Sequence, residues 1–227
     1  MNPQLTLDRL DELVRSRSIL THPFYLAWQR GELSRAQLAA YAQIYYPHVA
    51  AFPGYLEAAL EVAEDPQVRA ELQRNLQDEL SNPKAHPHLW LDFAEGLGLE
   101  RESVAKADRR PAVERLIGAM EMLASRDSAS GLAALYAYES QQPEVSRQKA
   151  DGLRRFYGVE DDRTLAYFEV HAEADLQHRA GEREALARCL ASGSTEETTM
   201  EAAGQVLEAY WGLLTGICEE AGIPVTC

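Results

Sequence analysis

Three residues in one short stretch have the types and spacing to hold a metal ion: His171, Asp175 and His178, in the pattern H-x-x-x-D-x-x-H. At about 100° per residue on a helix, Asp175 lies about 40° to one side of His171 and His178 about 20° to the other. One narrow face therefore carries all three. Two imidazoles and a carboxylate suit divalent iron, manganese or zinc, and a rigid helix can leave positions open for oxygen or substrate. Taken alone, the same triplet also fits an ordinary solvated face.

Further residues extend the set. Glu79 and His86 lie seven positions apart, nearly on one face if the helix continues, although Asn82-Pro83 between them should introduce a kink. His88 competes with His86 for the same role, and periodicity does not separate them. Glu139 sits in Leu135-Tyr136-Ala137-Tyr138-Glu139-Ser140, an apolar and aromatic run in which an unpaired carboxylate would cost several kcal/mol. Arg147 or Lys149 could supply its cation in a plain ion pair, whereas a metal would account for all the carboxylates and histidines together. Glu79, Glu139 and Asp175 with His86, His171 and His178 are too many ligands for one zinc and suit two octahedral ions sharing a bridging carboxylate. The two Glu-x-x-His motifs of ferritin-type di-iron bundles do not occur at these positions, so a different bundle must supply the site.

Helices must position these residues. Apolar residues recur at helical spacing through most of the chain, as in Leu38, Tyr41, Tyr45, His48, Phe52 and Tyr55 and again in Val113, Leu116, Ile117, Met120 and Leu123, while alternating β-branched runs are scarce. The fold class is all-α. Capping and breaking signals place helices at roughly 5–19, 23–30, 34–61, 66–80, 84–97, 111–125, 128–141, 143–157, 161–190 and 197–221. Pro47 and Pro53 should kink the third of these or end it early. No repeat or linker divides the 227 residues, so residues 1–227 read as one helical-bundle domain.

Composition narrows the function. The proportions, 46% hydrophobic and 26% charged, are those of a globular protein, and a core of this size needs no structural metal or disulfide. Thirty-six acidic against 22 basic residues give a charge of −14, which repels phosphate backbones and anionic lipids, so neither nucleic acid nor a membrane is expected as a partner. Cys189, Cys218 and Cys227 form no C-x-x-C, and there is neither an export signal nor a run of 18 apolar residues. A cytoplasmic location follows as the expectation.

The residues also resemble a known family, the haem-oxygenase-like di-metal oxidases, and within it the CADD-like p-aminobenzoate synthases. The likeness runs from His22-Pro23-Phe24-Tyr25 and Trp28 through the stretches Tyr41 to His48 and Ala51 to Leu56, then Asp78-Glu79 to His86 and Leu89-Trp90. It continues through Ala134 to Gln141, Lys149 and the His171 to His178 motif, and fades only in the tail from Ile217 to Cys227, which lacks the family's cysteine-rich ending.

The resemblance implies a haem-oxygenase-like bundle of seven to ten helices whose interior holds two metal ions, Fe/Fe or Fe/Mn, in place of haem. It assigns the ligand role to His86 rather than His88. Such enzymes use O2 and an external reductant to make p-aminobenzoate for folate biosynthesis, consuming their own tyrosine. The matching tyrosine is Tyr25, and the implied amino donor is Lys149. Tyr41 and Tyr138 match tyrosines lining the family's pocket, placed to relay an electron or to position the substrate. An electron donor and a second copy of the chain, in a homodimer, are the expected partners.

Three other readings compete. An oxygenase of the same fold acting on an external fatty acid or amine would keep the ligands but would not need Tyr25 with Lys149. A death-domain-type interaction module would use the acidic helical surface. In a purely structural reading the ligands are buried ion pairs, indifferent to chelators. The thiaminase-like branch needs a catalytic cysteine, which residues 1–188 lack, and the metal-free pyrroloquinoline-quinone oxidase branch would not require six ligands.

Overall fold

A computed structural model of the chain describes residues 2–81 and 83–224. The expected kink at Asn82-Pro83 and the third cysteine, Cys227, involve positions outside the described residues. Eleven helices follow one another among the described residues: α1 (Pro3–Ser16), α2 (Pro23–Arg30), α3 (Arg35–Val62), α4 (Pro66–Ser81), α5 (His86–Gly96), α6 (Arg101–Ala105), α7 (Pro111–Ala124), α8 (Ser128–Glu139), α9 (Gln142–Tyr157), α10 (Asp162–Ala191) and α11 (Glu196–Ala221). No strand occurs among them.

The starts obey local chemistry. Ser34 and Gln37 close a capping box on α3, and Asp127, Asp161 and Thr195 each accept a backbone N–H at the start of α8, α10 and α11. Gly31, Gly158 and Gly222 end α2, α9 and α11 in the left-handed region.

Pro47 and Pro53 do not end α3, which runs unbroken for 28 residues. Each proline leaves one carbonyl without its helical N–H, but α3 packs against α4, α5, α7, α8 and α11, and that burial holds the helix together. Two short pieces escape the periodicity: a single 3-10 turn at Ile19–Thr21, which shortens α1, and the five residues of α6.

Two helices organise the interior. Every residue of α8 from Ala129 to Glu139 is buried, as expected of a helix apolar on all sides at the centre of a bundle. Against it lies α10, which also contacts α4, α5 and α9. On α10 the inward residues are not apolar in the middle: His171, Asp175, His178 and Glu182 continue the buried stripe of Leu165 and Phe168. The core is thus polar where α4, α5, α8 and α10 meet.

Candidate metal centre

Each of these helices delivers ligands by its register. On α4 the buried positions Glu71, Asn75 and Glu79 follow at intervals of four. His86 is the first residue of α5 and Glu139 the last of α8, so both side chains sit at helix ends facing α10. His88 is not among the buried residues of α5.

The six residues form two clusters, Glu79 with His86 and His171, and Glu139 with Asp175 and His178, the donor atoms within each lying inside 4.8 Å of one another. His86 Nδ1 is 2.8 Å from Glu79 Oε1, and His171 Nε2 is 3.8 Å from the same oxygen. In the second cluster His178 Nδ1 is 3.3 Å from Asp175 Oδ1 and 3.4 Å from Glu139 Oε1. Glu79 falls in the first cluster and Glu139 and Asp175 in the second. Arg147 and Lys149 do not serve as the cation for Glu139: Arg147 pairs with Glu144, and the Lys149 amine lies 2.5 Å from Tyr41 OH.

The donors fit a divalent cation. Asp175 Oδ2 and His178 Nδ1 are buried and make no hydrogen bond, although both face the cluster. Burial lifts the Asp175 carboxyl to about 7. Burial opposes charge on His178, yet its contacts with Asp175 and Glu139 hold the imidazole protonated up to about 11. His171 is pushed well below its usual range by burial and by His86 alongside, and is a neutral imidazole with a free lone pair. The remaining ring nitrogens have partners: His171 Nδ1 donates to the Tyr167 carbonyl at 2.6 Å, and His178 Nε2 is 3.1 Å from Asp78 Oδ2. This is how metal-binding histidines are oriented.

Several residues of the site were not singled out in the sequence. Asn75 donates to both oxygens of Glu139, at 3.1 and 3.0 Å. Tyr167 packs against His171 with ring centroids 4.0 Å apart and the planes tilted by 30°. Glu182 is buried against Glu139 with neither oxygen hydrogen-bonded, and burial beside that carboxylate pushes it well above its usual range. Asn75 precedes Glu79 by four residues, Tyr167 precedes His171 by four, and Glu182 follows His178 by four. Extending each ligand's face by one turn would have found them.

Both clusters open on one small cavity, lined by Val49, Phe52, Tyr138 and Tyr167 besides four of the ligands, with about 10 Å³ of room, enough for a water-sized molecule. Of the expected pocket tyrosines, Tyr138 lines this cavity and Tyr41 does not. Tyr41 stands one layer back, its ring 5.5 Å from that of Trp90 and its hydroxyl on Lys149. Hydroxyls link the layers: Tyr138 OH is 2.8 Å from Tyr45 OH, which is 3.1 Å from Tyr210 OH. Tyr25 is buried beyond them, its ring centroid 5.2 Å from the Lys149 amine and its own hydroxyl without a hydrogen-bond partner. Burial pushes Tyr25 well above, and Lys149 well below, their ordinary pKa values, so burial disfavours charge on both the phenol and the amine that faces it.

Known proteins share this chain's sequence and fold. The model of a family described as iron-containing redox enzymes, of haem-oxygenase type, matches residues 39–211. The 4-aminobenzoate synthase of Chlamydia muridarum is 37% identical over 97% of this chain and 92% of its own. That of Nitrosomonas europaea is 35% identical over 96% and 93%. Among solved structures, a TenA homologue from Pseudomonas syringae pv. tomato superposes with a TM-score of 0.81 at 17% identity, over 95% of this chain and 92% of that one, which shows the shared fold. Sequence, fold and the buried histidine–carboxylate interior agree: the chain belongs to the iron-containing redox enzymes of haem-oxygenase-like fold.

Proposed function

We propose that this protein is an O2-dependent di-metal oxidase that makes p-aminobenzoate, for folate biosynthesis, from the side chain of its own Tyr25, with Lys149 as the amino donor. The observation that carries the reading is the pairing of Tyr25 with Lys149 deep in the bundle, behind the small cavity onto which both clusters open. The 35–37% identity to two 4-aminobenzoate synthases over nearly the whole chain supports the same reaction.

Glu79, His86 and His171 would hold one ion and Glu139, Asp175 and His178 the other, Fe/Fe or Fe/Mn, and the pair would supply O2 activation, fed by an external electron donor. The protein's residues do the rest. Val49 and Phe52 give the cavity an apolar wall. Tyr138, Tyr45 and Tyr210 form a chain of hydroxyl contacts that starts at the cavity, along which a phenol can lose an electron and pass its proton to a neighbour. Lys149 is desolvated, so its amine keeps the lone pair that exchange of ring oxygen for nitrogen requires. Tyr25 already carries the six-carbon ring and the Cβ that becomes the carboxyl carbon.

A one-pot assay tests the reading. Protein loaded anaerobically with Fe(II), with or without Mn(II), receives reductant and O2 but no organic substrate, and p-aminobenzoate is measured by mass spectrometry. Expected is at most one product per chain, absent from Tyr25→Phe. If O2 is consumed by the metal-loaded protein and no aminobenzoate appears, the reaction acts on an external molecule instead.

A further inference from the structure

His171 and His178 lie on the same face of α10 but turn opposite nitrogens toward the clusters. For His171 the acceptor is its own helix: Nδ1–H donates to the Tyr167 carbonyl one turn back, which leaves Nε2 for the first cluster. For His178 the acceptor comes from a different helix. Its Nε2 is 3.1 Å from Asp78 Oδ2 on α4, and its Nδ1 points at Glu139 and Asp175 without a hydrogen bond. Asp78 is the immediate neighbour of Glu79, which belongs to the first cluster.

We infer that Asp78 is the positioning residue of the second cluster, its carboxylate accepting the Nε2–H of His178 so that Nδ1 is presented to the ion held with Glu139 and Asp175. The carboxylate fixes both the tautomer and the tilt of the ring, and it strengthens the imidazole as a donor. A second consequence follows from the adjacency. Consecutive residues of α4 serve different ions, Glu79 as a ligand of one and Asp78 through His178 for the other, so the register of α4 against α10 sets both sites at once. The inference rests on the clusters holding metal and is independent of the aminobenzoate chemistry.

Metal-stripped protein is titrated with Mn(II) against a competing chelator, for the wild type, Asp78→Ala and Asp78→Asn. The wild type should bind two ions per chain. Asp78→Ala should bind one as before and the other about ten- to a hundredfold more weakly. Asp78→Asn keeps an acceptor oxygen and should recover most of the loss. In parallel, the zinc-loaded wild type with ¹⁵N-labelled histidine should show His178 bound through Nδ1 and protonated at Nε2. Wild-type affinity at both sites in Asp78→Ala, an equal loss at both sites, or binding of His178 through Nε2 would each overturn the assignment. Should Asp78→Ala not fold, the Asn variant and the wild-type nitrogen spectrum decide it alone. A wild type that binds no metal sinks the metal reading itself, a result distinct from the others.

Discussion

His48 shows what a buried titratable side chain contributes when it takes no part in the clusters. It is fully buried between Tyr45, Phe52 and Tyr138, with Nδ1 3.3 Å from Tyr55 OH and Nε2 unpartnered, and burial lowers its pKa from 6.5 to about 3. The native state keeps it neutral while the unfolded chain protonates it below 6.5. The stability it contributes is therefore complete above pH 6.5 and is lost as pH falls toward 3, at a slope approaching about 1.4 kcal/mol per pH unit. His48→Phe should remove about one proton's worth of that slope between roughly pH 4 and 5.5, read from denaturant unfolding at a series of pH values. An unchanged slope would mean that His48 is protonated in the native protein. The sequence made the six clustered residues legible because their spacing is helical and their types are metal donors. It did not distinguish His48 from an apolar stripe residue, nor reveal Asp78, whose role depends on where α4 crosses α10.

At the scale of elements, one glycine sets the packing of the two helices that carry Tyr25 and Lys149. Gly152 lies on α9 one turn after Lys149, and a Cβ there would stand 2.7 Å from Trp28 Nε1 and 2.8 Å from Trp28 Cδ1. The same indole donates to the Lys149 carbonyl at 3.3 Å. The absent side chain is thus what lets α2, which carries Tyr25, dock against α9, which carries Lys149. Gly152→Ala should push the two helices apart, destabilise the fold by about 1–3 kcal/mol as overpacking does, and lower aminobenzoate yield more than it lowers metal content. Equal yield per bound metal would show that the α2–α9 distance does not matter to the reaction. Helix existence was legible from periodicity and caps, which place the start of α8 at 128 and of α10 at 162, close to expectation. The five residues of α6 were too short to show a period. The passage of α3 through Pro47 and Pro53 was hidden because tertiary burial, not local propensity, decides it.

For the molecule as a whole, the interior charge must be balanced. Glu79, Glu139, Asp175 and Glu182 are all buried toward the same junction of α4, α5, α8 and α10, in a chain of net charge −14, and among the described residues Glu79, Glu139 and Asp175 pair with histidines. Without metal, protons do the balancing: Asp175 is lifted to about 7 and His178 to about 11. Both native pKa values lie above the unfolded ones, so this pair stabilises the metal-free bundle below about pH 4 and that contribution is lost as pH rises through 7 and toward 11. A divalent ion must displace those protons, so its affinity rises with pH over the same range. Free metal at a hundred times its dissociation constant adds about 2.7 kcal/mol per site, roughly 5–10 °C in Tm for a chain of this size. Calorimetry at fixed free Mn(II), with and without chelator, should show a gain that is larger at pH 8 than at pH 6. Glu139→Gln should lose about half of it, since its carboxylate belongs to one cluster only. A Tm indifferent to chelator at both pH values would leave the clusters as internal ion pairs, with His178 the counter-ion of Asp175 and Glu139.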